Sequence, residues 1–487
     1  MAIKACCPVN LDIETIIKAN PFEKRKGLKK DSLLYIIHCI MTRRASLDDE
    51  HLKKLGKSNG YVPLHSKILE KFIPQYHNHI EYLKKVGIIE CDGKFIPEKV
   101  SMGYRLADQY RGQDFKKATL TDFTLCTKIK AKHTFKINLV KKELPHLVKW
   151  IDSQKLQIDE VEAYKAINEY ELNEMALINS CSFSSSKKLE EINQLNESCK
   201  NFKILVNRIN CKDYYCHIDE TGKRLHTNLT NIPKWLRKFI TYDDQELVSI
   251  DIKNSQPYMC TALLKKEFWQ SVDTAQKPTL KRISEEMYIE IRKNKKEINN
   301  IIKFLDSSKT LTQKDIQKEE FIKNVVNGTF YEYLIPIFEK EGVLTSCKTE
   351  NEKRDKVKKI VLQLLFDDDN KSYNRKRDSA TQIFKRKFPV IAKLFEFIKK
   401  DNYRNLAVVL QRIESYLILE RVCKRISKEN PDLPLFTIHD SIVTTLGNEN
   451  YVKSVMEDEL RKSIGAAPQF SIEYWQKEQD KNKVGAL

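Results

Sequence analysis

The chain has 487 residues, 86 Lys and Arg against 67 Asp and Glu, and a formal charge of +19; that length is more than one core usually serves and implies two to four domains. The positive excess points to a polyanionic partner, nucleic acid foremost, although abundant Lys alongside Asn and Ile can also reflect the base composition of a gene. No apolar run approaches membrane-spanning length, no N-terminal stretch resembles a secretion signal, and the twelve cysteines show no paired framework, so the expected setting is a reducing cytosol without disulfides and without a membrane.

Near the start, Asp12-Ile13-Glu14-Thr15 resembles the first motif of proofreading exonucleases. Only a short basic stretch separates it from the next element, which leaves no room for an exonuclease domain. It therefore reads as the capped first turn of a helix, and no proofreading is expected. Leu33, Leu34, Ile36, Ile37, Ile40 and Met41 recur at helical spacing; Ile68, Leu69, Phe72, Ile73, Tyr76, Ile80 and Leu83 repeat the pattern, with a kink expected at Pro74. Gly87 ends the helix, and extended pieces at Ile88-Ile89-Glu90-Cys91 and Gly103-Tyr104-Arg105-Leu106 flank a loop, an order like that of a winged helix-turn-helix. Such a module binds duplex or single-stranded nucleic acid or, alternatively, another protein. Residues 143–210 read as charged helices broken at Ser182-Phe183-Ser184-Ser185-Ser186, either a spacer or a thumb-like clamp on a duplex. Cys211, Cys216 and His217 have the closest metal-like spacing, but no second pair follows at the distance a zinc site needs. No internal repeat or heptad seam stands out, and the oligomeric state is not legible.

Glu246-Leu247-Val248-Ser249-Ile250-Asp251 reads as a buried strand delivering a carboxylate at its end, and the chain turns away through Ile252-Lys253-Asn254-Ser255-Gln256-Pro257. Leu435-Phe436-Thr437-Ile438-His439-Asp440-Ser441-Ile442-Val443-Thr444 reads as a hairpin with a polar bend. Two strand-end carboxylates side by side suit a pair of Mg²⁺ ions about 4 Å apart, the arrangement nucleotidyl transfer uses. Between them a run without Gly or Pro, Arg354 through Phe366, predicts one helix with Arg354, Lys358, Leu362 and Phe366 on a single face. That face could offer two cations to a triphosphate and then an aromatic ring to a sugar and base. Taken singly, each element has a plainer reading: a solvated amphipathic helix, or a strand ending in a turn.

In combination and order, residues 221–445 resemble the superfamily of family A DNA polymerases and single-subunit phage-type RNA polymerases. Asp251 stands at the first metal aspartate; Arg354, Lys358 and Phe366 match the spacing of the nucleotide-binding helix, where Tyr is usual at the last position; and His439-Asp440 matches the second metal aspartate and the His before it. Thr221-Gly222-Lys223-Arg224-Leu225 and Asn231-Ile232-Pro233 resemble the stretch before the first motif, Arg237 resembles a further basic position, and Asn405 through Gln411 resembles the helix whose Gln approaches the primer-template minor groove. Two departures stand out: Asp367 replaces a common Gly and begins the acidic run Asp367-Asp368-Asp369, and His-Asp-Ser at 439–441 is the phage RNA polymerase form where the DNA enzymes usually carry His-Asp-Glu.

The resemblance implies an α+β chain: a winged-helix-like domain over 1–115, a helical thumb-like region over 116–215, a right-hand polymerase palm with helical fingers over 216–475, the fingers lying between Cys260 and Phe395, and a basic tail over 476–487. It implies a template-directed DNA polymerase without proofreading. Asp251 and Asp440 would bind two Mg²⁺, replaceable by Mn²⁺, with the Ile252 carbonyl a further ligand. Arg354 and Lys358 would hold the triphosphate, Lys358 also protonating pyrophosphate; Leu362, Phe366 and Gln256 would shape the nucleotide pocket; Arg224, Arg237, Gln411 and His439 would touch primer or template. Gln256 is bulky where RNA polymerases carry a small residue, and Phe366 lacks the hydroxyl that senses a ribose 2′-OH, so dNTPs are the expected substrate. An RNA polymerase or primase, favoured by Ser441, and a non-catalytic DNA-binding initiator with a decayed palm are the alternatives.

Overall fold

The computed structural model describes residues 3–21, 27–97, 99–270, 277–293, 295–305, 313–367 and 375–476. The tail over 477–487 and the acids Asp368 and Asp369 lie outside the described residues. The chain is a mixed α and β protein made of two compact units interleaved in sequence: residues 1–142, 153–216 and 227–244 form one, and 143–152, 217–226 and 245–487 the other. The segments expected as 1–115 and 116–215 thus fall largely together in the first unit. The strand Phe115–Thr119, which spans their boundary, pairs antiparallel with Lys4–Pro8.

In the first unit the helix Lys30–Ala45 buries Leu33, Leu34, Ile36, Ile37, Ile40 and Met41, the residues whose spacing predicts it. Asp12 accepts the backbone N–H groups of Glu14 and Thr15 at 3.1 Å each, which makes this stretch a capped first turn. Where one kinked helix is expected around Pro74, there are two, Ser66–Phe72 and Tyr76–Lys85. Pro74 holds Ile73 in the extended region and has no N–H to continue the ladder, and Gln75 then turns left-handed at φ 53°. A three-stranded antiparallel sheet in the order Val62–Pro63, Gly103–Leu106, Ile89–Cys91 accompanies these helices. The long helices Glu160–Ser180 and Ser185–Asn210 pack on each other, and the break between them falls in the serine-rich stretch, where Ser184 caps the second helix.

His38, on the Lys30–Ala45 helix, accepts the Cys6 N–H through Nδ1 at 3.0 Å, so that nitrogen must carry no proton. Burial pushes its pKa down from 6.5 to about 4. The folded state therefore binds fewer protons than the unfolded one at mildly acid pH, and stability is lost as pH falls from about 6.5 toward 4. Urea unfolding at pH 7 and pH 5 should show a loss on the order of 1–2 kcal/mol from this group, absent in His38→Gln.

The second unit is built on a four-stranded antiparallel sheet in the order Phe436–Ile438, Ser441–Thr445, Gln245–Ile252, Phe470–Tyr474. Gln245–Ile252 is central, and Leu247, Val248, Ile250 and Ile252 are all nearly inaccessible, which explains its near-continuous apolar run. The helix Glu449–Ile464 packs on this strand and on Ser441–Thr445. Three helices, Ser255–Leu263, Glu350–Phe366 and Arg404–Ser415, complete the surroundings of the sheet end. The last of these packs against both of the others.

Candidate active site

The site grows from the register of the central strand. Ile250 pairs with Ile442, so Asp251 falls opposite Ser441, one residue from Asp440. Ser441 Oγ reinforces the pairing by donating to the Ile250 carbonyl at 3.3 Å. His439 and Asp440 form the two-residue link between the paired residues Ile438 and Ser441, and His439 adopts a left-handed φ of 57°. After Asp251 the chain turns through Asn254, also left-handed at φ 55°, into the helix Ser255–Leu263. Two residues with side chains held in this sparse region, one beside each aspartate, mark a place where local geometry is imposed by its surroundings.

Burial pushes the Asp440 carboxyl above its usual range, against the opposing influence of Ser255, Arg224 and Lys358. The Ser255 hydroxyl lies toward Asp440 and favours its ionised form. Among the described residues, the buried Asn254 Oδ1 and Nδ2, Ser255 Oγ and Gln256 Oε1 have no hydrogen-bond partner. Unpaired polar atoms on Asn254 and Gln256 are costly in a finished core and fit a place that receives a polar ligand.

The Glu350–Phe366 helix presents the expected face. Val357, Val361 and Leu365 are buried, whereas Arg354, Leu362 and Phe366 are half-buried and Lys358 is exposed. Lys358 is near enough to Asp440 to favour its ionised form. Arg354 is tied to Glu332 through Nε at 2.5 Å and lies over the Tyr331 ring, 5.6 Å from its centre. Burial pushes the Tyr331 hydroxyl up, Arg354 opposes this and Asp440 adds to it, which places this tyrosine beside both. At the helix end, Lys399 Nζ donates to the carbonyls of Leu364 at 2.6 Å and Asp367 at 3.0 Å. A side-chain cation thus caps the C-terminal end of this helix.

The stretch before the central strand forms a hairpin of Cys216–Ile218 with Leu225–Thr227. Asp219 shapes its loop by accepting the N–H groups of Gly222 at 2.6 Å and Arg224 at 2.9 Å. The Arg404–Ser415 helix grips that loop: Arg412 donates to the Thr221 carbonyl at 2.7 Å, and Ser415 donates to the Gly222 carbonyl at 2.8 Å. A Cβ on Gly222 would lie 2.7 Å from Gln411 Oε1 and 3.1 Å from its Cβ, so any larger residue here would have to displace the Gln411 side chain. Arg224 places Nε 2.7 Å and Nη2 2.8 Å from the two oxygens of Glu414. Gln256 donates its amide to the same carboxylate at 2.5 Å. Burial pushes the Glu414 carboxyl up to about 7, with Arg224 opposing and the Asp440 charge adding to the rise. The imidazoles of His217 and His226 stack with centres 4.9 Å apart, and His226 meets His439 edge-on at 5.9 Å.

The second unit contains Asp251, Ile252, Gln256, Arg354, Lys358, Leu362, Phe366, Arg224, Gln411, His439 and Asp440; the contacts above link Arg224, Gln256, Lys358 and Asp440. Arg237 belongs to the first unit, in the short helix Lys234–Phe239. Glu414, Tyr331, Glu332 and Ser255 are participants that the sequence reading did not name. For Glu414 a signal exists: it interrupts the apolar stripe Leu410, Ile413, Leu417, and an acid on a buried helix face demands partners.

No group of three or more His, Cys, Asp or Glu side chains arranged for a metal occurs among the described residues. A magnesium site does not require one. Mg²⁺ keeps several waters and is commonly held by one or two carboxylates plus substrate phosphates. Asp251 and Asp440 supply hard oxygen donors of that kind, and the unfavourable burial of Asp440 is what an adjacent dication would relieve. No helix among the described residues is long and apolar enough to cross a membrane.

No family model matches the chain, and no curated protein matches it. Among solved structures, the chain is similar to the POL domain of Pol1 from M. smegmatis, determined in complex with DNA primer-template and dNTP, at 9% identity and a TM-score of 0.31 over 72% of this chain and 74% of that one.

Proposed function

We propose that the protein is a template-directed nucleotidyltransferase of the palm type, adding dNTPs to a primer 3′ end. The observation that supports this reading is the pairing of Ile250 with Ile442, one residue before Asp251 on one strand and two after Asp440 on the other, with Lys358 close to Asp440. In this reading the four-stranded sheet is the palm, the helices between Cys260 and Phe395 are the fingers, and the paired long helices of the first unit are the thumb-like element. The three-stranded sheet with its two helices is a winged-helix-like module for nucleic acid.

Asp251 and Asp440 would hold Mg²⁺ or Mn²⁺, with the Ile252 carbonyl as a further donor; bound there, such ions supply charge neutralisation at the attacking hydroxyl and at the leaving pyrophosphate. Lys358, one turn beyond Arg354 on the open face of its helix, would bind the triphosphate and hold a proton at Nζ for the departing pyrophosphate. Arg354, oriented by Glu332 and the Tyr331 ring, would clamp phosphate oxygens. Phe366, Leu362 and Gln256 would bound the sugar and base. Gln411, His439 and Arg224 would touch primer or template, Arg237 in the first unit would add a further basic contact to nucleic acid, and the basic surface would add salt-sensitive affinity for the backbone.

The test is extension of a labelled primer on a DNA template with Mg²⁺, comparing dNTPs with rNTPs and primed with unprimed template. Extension with dNTPs on the primed template is the expected result. Preferential rNTP use or primer-independent synthesis would replace this reading by an RNA polymerase or primase. Binding of DNA with no incorporation, with Mg²⁺ or Mn²⁺, would leave a non-catalytic binding protein.

A further inference from the structure

We propose that Glu414 is a positioning residue for sugar selection, acting through Gln256; this rests on the polymerase reading above. The side chain of Glu414 is 1% exposed, and its carboxylate takes three donors. Two come from Arg224, at 2.7 and 2.8 Å, and the third is Gln256 Nε2 at 2.5 Å. When ionised and held by the bidentate guanidinium, Glu414 is acceptor-only, and the Gln256 amide meets it with its NH₂ end. Its other end, Oε1, is buried and without a donor among the described residues.

The physical consequence is immobilisation. A glutamine has three rotatable side-chain bonds and gives up much of its rotamer freedom when fixed. Left unanchored, it could swing aside and admit a ribose 2′-hydroxyl. Glu414 sits on the Arg404–Ser415 helix and Gln256 at the start of Ser255–Leu263, two helices packed together, so the anchor point is rigid. Arg224 in turn is held by the hairpin loop that Asp219 shapes. Sugar discrimination would therefore depend on a residue that touches neither the sugar nor the metals.

The experiment is single-turnover incorporation of a dNTP and its matching rNTP opposite one template base. It uses the full chain as wild type, Glu414→Gln, Glu414→Asp, Gln256→Met and the Glu414→Gln/Gln256→Met double variant. Glu414→Asp keeps the charge opposite Arg224 and shortens the reach to Gln256, and Gln256→Met keeps the bulk and the Arg224–Glu414 pair while removing the amide. Each single variant should lower the dNTP-to-rNTP ratio by about tenfold or more, and the double variant should go no lower than the worse single, because both changes free the same side chain. A purely structural role would slow both sugars alike. A ratio within about twofold of wild type in Glu414→Gln and Glu414→Asp, or losses that multiply in the double variant, would overturn the proposal. Failure of the wild-type protein to incorporate either sugar would instead overturn the reading on which it rests.

Discussion

Asp251→Ala and Asp440→Ala proteins should each lose nucleotide incorporation by at least about 10³-fold, since each removes an oxygen donor from a metal-assisted step worth several kcal/mol. Binding of primed DNA should persist. Asp440 adds a second readout that does not depend on activity. Its carboxyl is raised by burial, so the folded state holds that proton more tightly than the unfolded state. Stability from this group then falls as pH rises past the unfolded carboxylate value, and at neutral pH the buried charge is a burden until a cation joins it. In metal-free buffer Asp440→Asn should melt at the same temperature as wild type or higher, and added Mg²⁺ should raise the wild-type Tm more than that of the variant. Incorporation surviving in either alanine variant at a tenth of the wild-type rate would remove these aspartates from the chemistry.

Lys358→Ala should lower kcat by about 10²–10⁴-fold, the range for losing a positioned proton donor, with a smaller change in KM. Arg354→Ala should behave differently. Its guanidinium is shared with Glu332 and is half-exposed, so its loss should appear chiefly as a raised KM for the nucleotide. The two residues lie four apart on one helix face, but Lys358 is the one close enough to Asp440 to influence its charge. Single-turnover rates at saturating nucleotide separate the two effects, and equal kcat losses in both variants would contradict this division of roles.

Much of the local structure around the candidate site was legible because its residues lie at element ends that local patterning defines. The apolar run Leu247 to Ile250 announces a buried strand, the polar His439-Asp440 between two apolar runs announces a hairpin, and the Gly- and Pro-free stretch after Arg354 announces a helix; each is present. Pro74 was harder. Its effect depends on whether the next residue can re-enter a helix, and Gln75 enters left-handed instead. The short strand Lys4–Pro8 could not be read, because its partner lies more than 100 residues away.

By itself, then, the sequence determined the secondary structure around the two aspartates, the shared face of Arg354, Lys358, Leu362 and Phe366, and the basic character that suits a polyanionic partner. Only tertiary structure decided what those side chains meet. Arg224 and Gln256 are 32 residues apart in the numbering, yet both end on Glu414, a residue that no local pattern assigns to them. Gly222 lies against Gln411 from a distant helix, so close that a side chain here would have to displace it. Periodicity reports which face of an element is buried, because burial repeats with the helix or strand. Ion pairs and hydrogen bonds between distant elements leave no period. They follow from the packing of whole helices on a sheet, and a buried carboxylate such as Glu414 acquires its partners only when that packing is complete.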